Sequence, residues 1–315
     1  MHPALSIVLF TTASGAGFGL LLLLGIGAPL GLLPESSWFA FVALAAAIAL
    51  AVAGLGSSAF HLGRPERAWR AFSQWRSSWL SREGVCAVLT FLPASVFGIG
   101  WVFFGATQGF IGLCGIGTAA LAAATIYCTG MIYASLKPIH QWHNGWVVPG
   151  YLVFALMSGL LMLNFLVRLW VPHAKGLALL TLVVVALAGW IKEQYWRFTD
   201  TTSARSTVAS ATALGSRGPV RRFETPHTGE NYLLKEMGFE IARKHARRLR
   251  RIVRLTGFAL PAFGSLLALV LTGGAGAATA GLAVLSASLG LVIERWLFFA
   301  EARHTVTLYY GALSA

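Results

Sequence analysis

Charge is scarce in this chain. Only 11% of its 315 residues are Asp, Glu, Lys or Arg, whereas soluble domains average about 25%. That deficit excludes an ordinary water-soluble globular fold. Cysteine is scarce too: Cys86, Cys114 and Cys128 are the only three, with no CxxC-type pair. Metal and cluster sites usually show such pairs, so no metal site and no iron–sulfur cluster is expected on this chain. All three fall inside apolar runs and read as small buried hydrophobes. Histidine is missing from the middle of every apolar run. The eight histidines are His2, His61, His140, His143, His173, His227, His245 and His304. A bis-histidine haem needs two at depth on facing helices, so no haem is expected. The amino terminus, MHPALSIVLFTTASGAGFGLLLLLGIG, lacks the basic segment that opens a signal peptide. It reads as a first span retained in the mature protein.

What the chain does have is length without charge. Hydrophobic residues make up 57%, and a run of about 20 apolar residues crosses the hydrocarbon core. Backbone groups in lipid must bond internally, which makes such runs helices. The expected fold class is all-α, a polytopic membrane protein with eight transmembrane helices in a bundle. The runs lie at residues 4–29, 37–60, 84–104, 109–133, 147–168, 175–196, 252–274 and 277–301. Small residues recur within them, among them Gly15, Gly17 and Gly19, Ala45 to Ala47 and Ala119 to Ala124. They read as faces of close helix packing.

The few charges are unevenly placed. The net charge is +13, a balance that can signal nucleic acid. Here the Lys and Arg lie at span ends and in one loop, so the positive-inside bias explains them and no nucleic-acid partner is expected. With eight spans, 22 of the 24 Lys and Arg share one side with both termini; Arg168 and Lys175 fall on the other. That side is therefore read as cytoplasmic. The stretch from Arg197 to Arg254 carries 13 basic and 5 acidic residues. It contains the expected basic cytoplasmic loop, 197–251, within one domain spanning 1–315. The second half of that stretch, IARKHARRLRRIVRL, reads as a basic helix feeding the seventh span, and such helices contact anionic headgroups. Tyr232, Leu233, Leu234, Met237 and Phe239 are apolar in a water-facing loop. They mark either a partner surface or a loop folded back on its own membrane domain.

Two segments break the apolar pattern. The first is HLGRPERAWRAFSQWRSSWLSRE, His61 to Glu83, with Arg64, Arg67, Arg70, Arg76 and Arg82 and with Trp69, Trp75 and Trp79. Titratable groups at the edge of an apolar span are costly without a partner or a task. Pro65 suits the first turn of a short helix, on which Trp69, Phe72 and Arg76 or Trp79 would share a face. The arginines are read either as ligands of lipid phosphate or as part of a site. His61 titrates near neutral pH, and Glu83 leads into an apolar span. A histidine and a carboxylate on neighbouring helix ends can hydrogen-bond a quinone oxygen and relay its protons. The second segment is SLKPIHQWHNGW, Ser135 to Trp146, with Lys137, His140 and His143. Without an acidic or cysteine ligand beside them, the two histidines read as a second polar lip or a docking surface rather than a metal pair. In the last span Glu294 and Arg295 are adjacent, about 100° apart on the helix, so partners on other spans are expected rather than a simple pair.

The His-Leu-Gly-x-Pro-x-Arg-Ala turn at 61–68 and Ser-x-Glu at 81–83 resemble the membrane-anchor subunit of dimethyl sulfoxide reductase, as does the eight-span layout. Within that family the SQWRSSWLSREG and PHTGENYLLKEMGF segments are similar to the anchor of quinone-linked cytoplasmic sulfite dehydrogenase. The long 197–251 loop and the charge bias depart from the reductase anchor in the same direction. The resemblance implies that His61 and Glu83 form the quinone site, with Arg64, Trp79 and Arg82 around it. Partner docking is read onto Arg67, Arg70, Arg76, Lys137, His140, His143, Tyr232 and Met237. The cofactor bound by this anchor would be ubiquinone or menaquinone. Molybdopterin and iron–sulfur clusters would reside in two partner subunits, one catalytic and one for electron transfer. The implied location is the bacterial inner membrane, in contact with lipid. Rival readings are a reductase anchor fed by menaquinol, an inert anchor without a quinone site, and a transporter. Transporters typically show repeats and broken helices at mid-membrane, and no convincing internal repeat is visible here.

Overall fold

A computed structural model describes residues 5–59, 65–202, 206–220, 223–224 and 243–310. Eight helices among them are long and apolar enough to cross a membrane. They are α1 (Leu5–Gly27), α2 (Ser37–Ala59), α3 (Trp79–Phe104), α4 (Gly109–Ala134), α5 (Val147–Arg168), α6 (Lys175–Thr201), α7 (Ala246–Val270) and α8 (Gly273–Ala300). The protein is an all-α, multi-pass membrane protein. Its outer helix faces carry exposed Leu92, Phe103, Phe110 and Leu282, as lipid contact requires.

Several boundaries differ from the sequence expectation, each for a local reason. Helix α3 starts at Trp79 and not at residue 84, because Ser78 caps it and accepts from the Ser81 amide. Such a cap satisfies one of the orphan donors of a helix start. Trp79, Arg82 and Glu83 therefore stand on the first turns of a span, not in a loop before it. Helix α6 runs five residues past 196, to Thr201. The basic stretch feeding the seventh span is continuous with it: Ala246–Val253 is helical and passes through a π-helical turn, Arg254–Ala259, into Leu260–Val270. Pro65 opens a short helix as expected, but the helix is 3₁₀, spans Pro65–Gln74 and ends before Trp79. Trp69, Phe72 and Trp79 therefore do not share one helix face.

The eight helices repeat one pattern of neighbours. Helix α1 packs on α2 and α4, and α3 on α4; α5 packs on α6 and α8, and α7 on α8. The halves meet where α1 crosses α5. These two helices are 56% and 67% buried, against 33–39% for the other six, so they form the axis of the bundle. Glycine makes the crossing possible: a Cβ on Gly19 would lie 2.0 Å from Ala155 O, and one on Gly159 would lie 2.5 Å from Gly19 C. Only backbone without side chains fits there, the membrane device of small residues at an interface.

Candidate functional site

The first turns of α3 organise the segment before them. Ser81 Oγ donates to Ala71 O, and Arg82 donates to Trp75 O (2.9 Å) and Arg76 O (2.6 Å). The Arg82 guanidinium lies 4.2 Å from the centre of the Trp79 ring. Phe72 packs its ring over Gly84, where an added Cβ would come within 3.1 Å. The 3₁₀ helix is thus strapped down onto α3. Arg82 and Trp79, expected around a quinone, are engaged in that strap; Trp79 also meets Tyr127 edge-on at 5.9 Å. Arg67, Arg70 and Arg76 are exposed. Arg70 and Arg76 stack on their neighbours Trp69 and Trp75, a belt of charge and indole suited to a membrane interface.

Behind this strap lies Glu83. It is 3% exposed, four residues into α3, which places it roughly 6 Å along the helix from Trp79. Thr129 of α4 stands against it. The Thr129 hydroxyl is in hydrogen-bond contact with Glu83 Oε1 and lies 3.0 Å from Thr125 O. A hydroxyl has one proton to donate. If it serves the carboxyl, Glu83 needs no proton on Oε1 and can be ionised. If it serves the Thr125 carbonyl, Glu83 must carry a proton and donate to Thr129 itself. The pair can therefore hold a proton in either arrangement with almost no movement of heavy atoms. A small cavity of about 20 Å³ opens on the other side of Thr129, between α1, α4, α5 and α8; Thr12, Ser158, Tyr151 and Arg295 also line it.

The remaining predicted residues are placed elsewhere or not described. His61, Arg64, Tyr232 and Met237 lie outside the described residues. The segment 135–146 clamps the end of the bundle. His143 Nδ1 donates to Ala134 O (2.6 Å), His140 Nε2 meets Thr202 Oγ1 (2.9 Å), and Trp142 Nε1 donates to Phe298 O (3.0 Å). His140 and His143 therefore point to different partners and not to a shared ligand. Lys137 is exposed.

The sequence reading passed over Lys192 and underrated Glu294. Lys192 of α6 donates to Glu294 Oε1 of α8, and both are buried. Arg295 Nε also lies 3.3 Å from Glu294 Oε2. Adjacent residues thus do pair, contrary to expectation, because the long arginine side chain folds back across Tyr151, 3.9 Å from its ring centre. The cross-span partner of Glu294 was expected, and Lys192 is it. The missed signal was a lysine inside an apolar span, a position that by itself argues for a task or a partner.

Two comparisons bear on this arrangement. The family model described as the DMSO reductase anchor subunit matches residues 1–311. The chain belongs to that family. The anchor is 34% identical, over 100% of both chains, to a sulfite dehydrogenase subunit of Allochromatium vinosum. No solved structure matches it. The anchor is thus a membrane subunit of an oxidoreductase complex family, as the resemblance in its 61–83 segment implied.

Proposed function

We propose that the anchor is the quinone-reactive subunit of a sulfite dehydrogenase-like complex in the bacterial inner membrane. Both termini and the 197–251 loop would face the cytoplasm, where 22 of 24 Lys and Arg gather. An iron–sulfur subunit and a molybdopterin catalytic subunit would dock on that face, over exposed Arg67, Arg70, Arg76 and Lys137. The likeness to the Allochromatium vinosum sulfite dehydrogenase protein supports the substrate of the partners. Electrons from sulfite would reach a quinone beside His61 and Glu83.

The observation that carries this reading is Glu83, a carboxyl sealed under the membrane edge with one hydroxyl partner. Desolvated carboxyls are expensive unless they have work to do. A quinone supplies a two-electron, two-proton couple, and a carboxyl able to hold or release a proton against Thr129 matches that need. The residues fit the group in chemistry. The small cavity behind Thr129 admits a water, not a quinone ring, so the ring would meet Glu83 from outside that cavity. Glu83 would hold the proton, Thr129 would fix the carboxyl, and the strap formed by Ser81 and Arg82 would keep bulk water from it.

The test is substitution of Glu83→Gln and of His61→Ala in the purified complex. Sulfite-dependent reduction of decyl-ubiquinone should fall by about 100-fold or more, the usual scale for losing a general acid–base. Reduction of ferricyanide by the catalytic subunit should persist. Normal quinone turnover in both variants would overturn the assignment.

A further inference from the structure

Four polar groups inside the bundle have a shared peculiarity. Tyr151 Oη, Tyr195 Oη, Trp196 Nε1 and Glu294 Oε2 are buried without a well-aligned hydrogen-bond partner among the described residues, Glu294 Oε2 keeping only its 3.3 Å ion-pair contact to Arg295 Nε. Their residues are 5%, 3%, 1% and 1% exposed. Buried polar atoms are rarely left unpaired, and an unfilled partner is often water. Three of these residues, Tyr151, Tyr195 and Glu294, line one cavity of about 20 Å³, together with Lys192 and Arg295. A cavity needs about 10–15 Å³ of such room and two to four polar partners to hold a water. This cavity meets both conditions.

The cavity has a neighbour. The one behind Thr129 shares Tyr151, Phe154 and Arg295 with it. The two abut at the Tyr151–Arg295 contact. In order across the bundle stand Glu83, Thr129, the first cavity, Tyr151 with Arg295, the second cavity, then Glu294 with Lys192. Glu301, the C-cap of α8, stands seven residues beyond Glu294, about two turns further along the same helix face. The Glu301 carboxylate accepts from Arg250 Nε at 3.0 Å, and its side chain is 13% exposed. Arg250 in turn reaches Asp200 at 2.7 Å, whose side chain is 57% exposed. All these residues sit near the same ends of their helices. Glu83 and Tyr151 are four residues from their helix starts, Thr129 five and Glu294 six from their helix ends, and Lys192 nine. The row is therefore lateral, about one to two and a half turns beneath one membrane surface.

We propose that ordered water fills the Tyr151–Tyr195–Glu294 cavity and completes a lateral proton path between Glu83 and the aqueous face at Glu301. The path rests on the quinone reading above, since it supplies the protons that chemistry exchanges. Reduction of one quinone consumes two electrons, delivered by the partner subunits, and two protons, delivered along the row; oxidation returns them by the same route. Glu83 sits behind its strap, and the row gives aqueous protons a way to it through the bundle. The Lys192–Glu294 pair is the one place on the row where a proton can be held between a carboxylate and an amine. The tyrosine hydroxyls and water bridge the gaps on either side of Arg295.

The experiment uses the intact complex with two variants that spare the packing. Tyr151→Phe with Tyr195→Phe removes only hydroxyls. Lys192→Met with Glu294→Gln removes the pair together and leaves Arg295 facing an amide oxygen in place of the carboxylate. With decyl-ubiquinone as acceptor, kcat should fall by about 10-fold or more in each. KM should stay unchanged, the solvent deuterium isotope effect should rise, and ferricyanide reduction should be unaltered. A high-resolution map of the complex should show water density within hydrogen-bond distance of Tyr151 Oη, Tyr195 Oη and Glu294 Oε2. Wild-type kcat and isotope effect in both variants, or an empty cavity in that map, would overturn the proposal. The two readings fail separately. If Glu83→Gln turns over normally, the quinone site is wrong while the water density still stands or falls by itself. If only Glu83→Gln is impaired, the site holds and the path does not.

Discussion

Lys192 and Glu294 face each other across α6 and α8 with side-chain exposures of 4% and 1%. A charge pair so placed is held by its partner and not by water. Breaking a buried pair from one side costs about 3–5 kcal/mol, whereas removing both partners is often neutral. Lys192→Met and Glu294→Gln should each lower the melting temperature of the anchor in nanodiscs. The double variant should recover part of the loss, since Arg295 still loses its carboxylate partner. Additive losses in the double variant would show that the two side chains are stabilised independently.

Thr129 offers a conservative probe of the carboxyl. Thr129→Val keeps the volume and removes the hydroxyl that meets Glu83 and Thr125 O. Quinone-linked kcat should fall by about 10-fold, a loss of ~1.4 kcal/mol in transition-state stabilisation. Thr129→Ser should restore it. Equal rates in the valine and serine variants would remove the hydroxyl from any part in proton handling.

Arg168 is 3% exposed at the opposite end of the bundle. It donates to Asn164 Oδ1 (3.1 Å), Ala268 O (2.5 Å) and Leu271 O (3.3 Å). The last carbonyls of a helix have no partners of their own, and this guanidinium serves two of them at the end of α7. Lysine lacks the planar fork. Arg168→Lys should destabilise the fold by roughly 1–3 kcal/mol for each carbonyl left unpaired. Thermal denaturation measures the loss, and thiol labelling of a Thr272→Cys reporter should detect a loosened turn between α7 and α8.

His304 couples the carboxy-terminal segment to pH. Its Nδ1 accepts from the Val306 amide at 3.0 Å, and Thr305 N donates to Pro138 O at 3.1 Å. Accepting requires a bare nitrogen on the ring. Desolvation holds the His304 pKa below its usual 6.5. The folded segment therefore binds fewer protons than the unfolded one, and its stability rises with pH. The contribution is complete above pH 6.5 and is lost as pH falls below it, levelling off under the folded-state value. Hydrogen exchange at residues 304–310, corrected for intrinsic rates, should accelerate between pH 7 and pH 5 (roughly the span over which an imidazole titrates). A His304→Phe variant should lose that dependence.

The sequence by itself determined the eight spans, because membrane insertion depends on run length and hydropathy, which are local sums. It marked Gly17 and Gly19 as packing positions, and it put Glu83 in view, because a carboxyl entering an apolar run is conspicuous in one dimension. It missed the start of α3 at Trp79, since a single serine cap outweighed the polar composition that followed. It grouped Arg82 and Trp79 with the ligand site, and the structure adds that they hold down their own neighbouring turn; it read His140 and His143 as a second lip or a docking surface, and the structure adds that they bond to Thr202 and Ala134 at the bundle end. Only the tertiary structure decided that Thr129 partners Glu83, that Lys192 is the mate of Glu294, and that Arg295 bends back onto its neighbour. The first two pairings join residues 46 and 102 positions apart. Spans of similar hydropathy can be packed in many orders, so which polar groups meet depends on how the helices pack and not on the sequence of any one span.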